Sequence, residues 1–159
     1  MPFYFAYGSN MDIHAMAVRC PQARLVGRAR LPRHRVALMR DGYATLVRDP
    51  RATAQGALWE ITFADLAGLD NYEGDGYLKI TQPVLREGAR PIRALIYIGK
   101  AAVSSGKAPP DYMANVLIAA LEIGLPADYV NELRLLAGEA PKATSRFRAI
   151  KRPDLIQDF

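Results

Sequence analysis

The apolar pattern of the chain passes at Pro109 from mostly strand-like to helical, and that change limits the folds open to it. Ahead of Pro109 the apolar residues come in short alternating or continuous runs of strand length. Beyond it, Tyr112, Val116, Ala119, Ala120 and Ile123 fall at helical spacing, with Gly124 placed to cap that helix. Pro126 then starts a second helix carrying Tyr129, Leu133 and Leu136. Strands gathered in one block, with helices mainly after them, predict an α+β fold with an antiparallel or mixed sheet rather than a wind of βαβ units. The 159 residues read as one domain, residues 1–159, long enough to bury about two-thirds of the unfolded surface. No repeat, linker or low-complexity segment divides them. From about residue 139 the chain reads as a polar tail, basic from Arg146 to Arg152.

Within the strand block, the first candidate starts at Phe3 and breaks abruptly into Gly8-Ser9-Asn10-Met11. Tyr7 to Asn10 offer several polar side chains. Gly8 leaves backbone N–H groups free to face an anion or oxyanion without a Cβ in the way. An ordinary strand-to-turn junction has the same local pattern. Asp12 is placed to cap a helix running to Arg19 and ended by Pro21. Strands are then expected at 24–31 and 34–40, separated by a break at Pro32, and at 42–47, closed by Asp49-Pro50. Residues 55–63 form a clear strand with Leu58, Ile61 and Phe63 as core candidates, followed by a helix over 64–71. Residues 77–85 alternate, with Leu78 and Ile80 on one face and Pro83 marking an edge or bulge. Residues 92–98 are nearly all apolar, as in a central strand.

Composition excludes several functions. The chain carries a formal charge of +5 and a pI near 9.5, yet its arginines are scattered. The densest group, Arg28 to Arg40, alternates with Leu31, Val36 and Leu38 as the solvent face of a strand does, without interleaved aromatics for stacking bases. No nucleic-acid partner is expected, although the arginines could attract an anionic small molecule. No run approaches the roughly 20 apolar residues of a membrane helix, and no basic segment precedes an apolar core as in a secretory leader. Cys20 stands alone, which fits a reducing compartment, and with only His14 and His34 beside it the usual zinc ligand sets cannot be assembled. The expectation is a cytoplasmic chain with no membrane partner, metal or cofactor. Cys20 and Trp59 read as core residues, and His14 and His34 as surface.

A second chemically suggestive stretch is Leu69-Asp70-Asn71-Tyr72-Glu73-Gly74-Asp75-Gly76-Tyr77. Glycines on both sides of Asp75 free the backbone, and Tyr72 and Tyr77 can wall Glu73 off from water. A desolvated carboxylate has a raised pKa and is a better base near neutrality. The bland alternative is an exposed glutamate at a helix end. Asp70 can pair with Glu73 as i and i+3 or cap the helix end, and Asp75 reads as a turn residue.

Together, Tyr4-Phe5-Ala6-Tyr7-Gly8-Ser9-Asn10-Met11 and Leu69-Asp70-x-x-Glu73-Gly74 resemble the signature loop and the catalytic-glutamate segment of the gamma-glutamylcyclotransferase-like superfamily. The Gly56-x-Leu58-Trp59 strand fits as well. Pro109-Pro110-x-Tyr112, continued by Gly124-Leu125-Pro126-x-x-Tyr129-x-x-x-Leu133, is similar to the helical pair of the gamma-glutamylcyclotransferase branch. The resemblance implies a small mixed β-barrel flanked by helices. It also implies cyclisation of a gamma-glutamyl amide to 5-oxoproline, with release of an amine or amino acid. The substrate's own α-amino group is the nucleophile in that reaction, so no protein nucleophile is required. By the resemblance Glu73 is the acid/base, Tyr7, Gly8, Ser9 and Asn10 hold the glutamyl group, and Tyr77 lies beside the glutamate. Fewer residues separate Glu73 from Tyr77 than in the animal enzyme, so a pocket of different shape is expected. The competing reading is a non-catalytic binder of small carboxylates on the same fold. An isologous homodimer is the default oligomer.

Overall fold

The computed structural model describes residues 1–104 and 107–143; the basic stretch from Arg146 lies outside the described residues. The strands are β1 (Phe3–Ala6), β2 (Arg24–Leu38), β3 (Ala44–Glu60), β4 (Tyr77–Val84) and β5 (Ile92–Gly99), and the helices α1 (Ile13–Arg19), α2 (Phe63–Glu73), α3 (Tyr112–Glu122) and α4 (Ala127–Leu136). The strands form one mixed sheet in the order β2-β3-β1-β5-β4. β1 is antiparallel to β3, with Phe5 opposite Leu58, and parallel to β5, with Tyr4 opposite Leu95. The α+β class and the helical pair after Pro109 are therefore as the periodicity predicts. Val116, Ala119, Ala120, Tyr129 and Leu133 are all buried. Gly124 leaves α3 with φ 77°, a conformation that favours glycine.

The strand boundaries differ from expectation for a local reason. Pro32 does not break β2, and Asp49-Pro50 does not end a strand. One ladder runs from Arg24↔Glu60 to Leu38↔Ala44, and both prolines fall at an irregularity inside it. Between the pairs Pro32↔Thr53 and His34↔Arg48, residues 49–52 stand against Arg33 alone, which adopts φ 62°. Such a bulge takes up proline without ending the pairing. Phe63, expected in the core, is instead the first residue of α2 and 76% exposed. Thr62 and Asp65 form a capping box that starts the helix one residue before Ala64. Leu58, Ile61, Trp59 and Cys20 are buried as expected.

The sheet does not close into a true barrel. Its two edges, β2 and the end of β4, meet at a single bridge, where Arg30 and Leu85 exchange backbone hydrogen bonds of 2.9 and 2.8 Å. Alternation along the strand makes residue 83 the next donor on that edge, and Pro83 has no N–H to give. The ladder stops there.

The centre of the sheet is packed to backbone contact. A Cβ built on Gly56 would lie 2.1 Å from the Ala6 carbonyl oxygen and 3.1 Å from the Phe5 ring. Backbone on one side leaves nothing flexible to yield. Gly56→Ala is expected to cost at least the 1–3 kcal/mol typical of overpacking, read as a lower urea midpoint at unchanged m-value.

Candidate active site

Asn10 fixes the loop that follows β1. It lies in the turn Ser9–Met11 and is 2% exposed, so its polar atoms need internal partners. Its Nδ2 donates to the Tyr4 hydroxyl at 3.1 Å, its Oδ1 accepts from Arg19 of α1, and its backbone carbonyl accepts from Trp59 Nε1 at 3.0 Å. The turn's own bonds run from Met11 N–H to the Gly8 carbonyl and from Asp12 N–H to Ser9. The amides that open such a turn have no acceptor inside it, which leaves them for solvent or a ligand. At Gly8 a Cβ would come within 3.3 Å of the Tyr112 hydroxyl.

Glu73 is the last residue of α2, and Gly74, with φ 65°, turns the chain out of the helix toward Tyr77 at the start of β4. Glu73, Tyr77 and the loop Tyr7, Gly8, Ser9 and Asn10 all line one cavity of about 390 Å³. Desolvation pushes the Glu73 carboxyl up to about 7, and the Arg19 guanidinium nearby pulls the other way. A carboxylate in this state exchanges protons near neutrality. Among the lining residues Glu73 and Asp41 are the charged ones, and neither Lys, Arg nor His lines the cavity. A substrate carboxylate here would meet amides and hydroxyls rather than a cation.

Several predicted site residues are occupied by the scaffold. Tyr7 donates its hydroxyl to the Tyr97 carbonyl at 2.5 Å, and Tyr77 donates to the Ala44 carbonyl at 3.3 Å. Ser9 Oγ lies 3.3 Å from the Tyr72 hydroxyl, bridging the loop to α2, while the Arg19 guanidinium sits 3.7 Å above the Tyr72 ring. Asp70 does not pair with Glu73. It accepts from the Tyr97 hydroxyl at 2.5 Å and from Lys79, and the Tyr97 bond first, then Lys79, holds its carboxyl below the usual range. His14 is exposed and Asp75 lies in the glycine turn; neither lines the cavity. Among the described residues, no three His, Cys, Asp or Glu side chains gather as a metal-ligand set.

Sequence reasoning placed Tyr7, Tyr72 and Tyr77 about the site but missed the rest of the aromatic wall, Tyr4, Tyr43, Tyr97 and Tyr112. Seven of the eight tyrosines line this cavity: Tyr4, Tyr7, Tyr43, Tyr72, Tyr77, Tyr97 and Tyr112. Burial raises the Tyr112 hydroxyl to about 12, so it remains a neutral donor at any ordinary pH. Tyr43 packs edge-on against it, with ring centroids 5.0 Å apart. The available signal was compositional, since tyrosines outnumber phenylalanines eight to five, but no spacing linked them.

Comparison with known proteins places this arrangement. Residues 4–114 match the family model described as gamma-glutamyl cyclotransferase, AIG2-like. The chain belongs to this family. Gamma-glutamylcyclotransferase of Homo sapiens is 27% identical over 146 residues, spanning 84% of this chain and 77% of that protein. A solved structure described as gamma-glutamyl cyclotransferase shares the fold, with a TM-score of 0.78 over 94% of this chain and 96% of its own, at 24% identity. YkqA from Bacillus subtilis is 27% identical with a TM-score of 0.74, over 89% of this chain and 56% of that one. The family match takes in the loop, Glu73, Tyr77 and the cavity residues from Tyr4 to Tyr112.

A raised carboxyl pKa has a sign in stability. Below its ordinary value of 4.5, Glu73 is protonated in folded and unfolded chains alike and contributes nothing. Between 4.5 and about 7 the unfolded chain ionises first, so stability falls as pH rises, by up to about 3 kcal/mol once both states are charged. Glu73→Gln is therefore expected to be more stable than the parent at about pH 8, with the difference vanishing near pH 4, in urea titrations across that range.

Proposed function

We propose that this protein cyclises a gamma-glutamyl amide to 5-oxoproline, with Glu73 as acid and base. The observation carrying this reading is a carboxylate of raised pKa in the same cavity as the opening amides of the Ser9–Met11 turn. The substrate's α-ammonium gives a proton to Glu73, and the freed nitrogen attacks the γ-carbonyl carbon. The carbonyl oxygen takes up the negative charge and is held by the loop amides, as in other oxyanion sites. Attack leaves two hydrogens on the ring nitrogen. As the tetrahedral centre collapses and the C–N bond of the amide breaks, Glu73 returns its proton to the leaving nitrogen. It then takes the second proton from the ring nitrogen and passes it to the released amine, which departs as an ammonium ion. No water is consumed, and the products are a five-membered lactam and an amine.

Most of the acceleration in this scheme is conformational. Holding the amine against its own γ-carbonyl can contribute on the order of 7–11 kcal/mol. A cavity walled by tyrosines, with the hydroxyls of Tyr7 and Tyr77 tied to backbone carbonyls and that of Tyr97 to Asp70, suits that task, because those bonds restrain its shape. The released amine faces the same walls, and its identity is the property the test below reads.

The protein is to be incubated with gamma-glutamyl amides bearing anionic, neutral and cationic amines, and 5-oxoproline followed. Release from at least one member is expected, and Glu73→Gln should lower kcat by about 10²–10⁴-fold. No release from any amide, or an unimpaired Glu73→Gln, rejects the reading. The first outcome favours a binding protein for small carboxylates.

The acid limb of kcat/KM for the active amide should rise with pH through about 7 as Glu73 loses its proton. Arg19 favours the ionised form, so Arg19→Met should move that limb to higher pH. A limb that stays in place shows that Arg19 does not tune the base.

A further inference from the structure

The densest arginine group of the sequence finds no role in the cavity described above. Arg28 and Arg30 project from β2 into a separate crevice at the seam where the sheet edges meet, and Arg86, just beyond the Arg30–Leu85 bridge, lines it from the other side. The crevice shares no lining residue with the Glu73 cavity. β4 separates them, with Tyr77 in one and its far end beside the other, about 23 Å apart at the rise of a strand.

The charges in this crevice are unanswered. Glu87 lines it too, yet none of the ion pairs among the described residues joins it to an arginine there. Arg28 donates only to the Gly124 carbonyl, at 2.7 Å, a bond that orients its guanidinium and leaves its charge uncompensated. Arg86 Nε is buried and has no hydrogen-bond partner among the described residues. Buried donors are almost always paired, so the orphaned Nε of Arg86 marks a place where a partner belongs. Guanidinium groups present forked donors matched to planar and tetrahedral oxyanions.

We propose that the crevice between β2 and the turn after β4 binds a small polyanion, a phosphate compound or a polycarboxylate, gripped by Arg28, Arg30 and Arg86. The site is independent of the cyclisation reading, since nothing in it reaches Glu73.

Calorimetric titration of the full chain with pyrophosphate, and separately with citrate, at ionic strength held constant with chloride, tests this. Constant ionic strength separates site binding from general screening. Saturable binding of one anion per chain is expected, weakened about tenfold by Arg86→Gln and by Arg30→Gln, each of which removes a charge-assisted hydrogen bond. Arg86→Lys should retain part of the affinity, having charge without the fork. Arg30 is exposed, so its variant keeps the fold even if the Arg86 variants do not. Preference for pyrophosphate assigns a phosphate ligand, and preference for citrate a polycarboxylate. Glu73→Gln should bind as the parent does, whatever becomes of its cyclotransferase activity. Absence of saturable binding by both anions, or unchanged affinity in Arg30→Gln, overturns the proposal.

Discussion

The architecture of the candidate site depends on satisfying one buried amide. Asn10 has almost no access to water, and three elements answer it: Tyr4 of β1, Arg19 at the end of α1 and Trp59 of β3. A buried polar group left without such partners costs about 1–3 kcal/mol, so the loop has little freedom to move without paying for broken bonds. Arg19 then extends the hold to Tyr72, and through it toward Ser9 and the end of α2. The loop and Glu73 are thus set relative to each other by a network that joins cavity residues, Tyr4, Ser9, Asn10 and Tyr72, to Arg19 and Trp59 outside the lining.

The carboxylate itself is an electrostatic compromise. Burial alone would keep Glu73 protonated, while Arg19, outside the cavity lining, restores part of its acidity. Asp70, one helical turn earlier, shows the opposite balance: the Tyr97 hydroxyl and Lys79 stabilise its charge and leave it a structural anchor. Two carboxylates on one short helix are therefore separated in role by their surroundings, burial and Arg19 of α1 for Glu73, Tyr97 and Lys79 on the sheet for Asp70.

Local chemistry made much of this legible beforehand. The helix cap at Asp12, whose carboxylate accepts from the amides of His14 and Ala15, follows from its place before Ile13. The buried stripes of α3 and α4 follow from their spacing, and the edge position of β4 from Pro83. Glu73 and the Gly8 loop were visible as local breaks in pattern, and their resemblance to a known family joined them. What stayed hidden depends on distant pairing. Prolines at 32 and 50 look like strand ends because nothing local shows that they fall at one bulge in a long ladder, Pro32 opposite Thr53 and Pro50 among the extra residues set against Arg33. The tyrosine wall draws on residues from Tyr4 to Tyr112, and no periodicity can announce it. The closed barrel failed for a comparable reason, since only the register of Leu85 against Arg30 shows that Pro83 interrupts the seam.

The central position of β1 has a consequence for how the chain comes into being. Its four residues, largely buried and aromatic, pair with Ala57–Glu60 on one side and with Leu95 on the other. During synthesis, therefore, β1 must wait for some fifty residues before its antiparallel neighbour exists, and longer for the parallel one. Contacts of such long sequence separation form slowly. The hairpin of β2 and β3 can fold in the interval, but the segment that later lines the cavity spends it as an apolar strand with both edges open. An apolar strand with open edges is an aggregation hazard, and here it leads directly into the loop that lines the cavity.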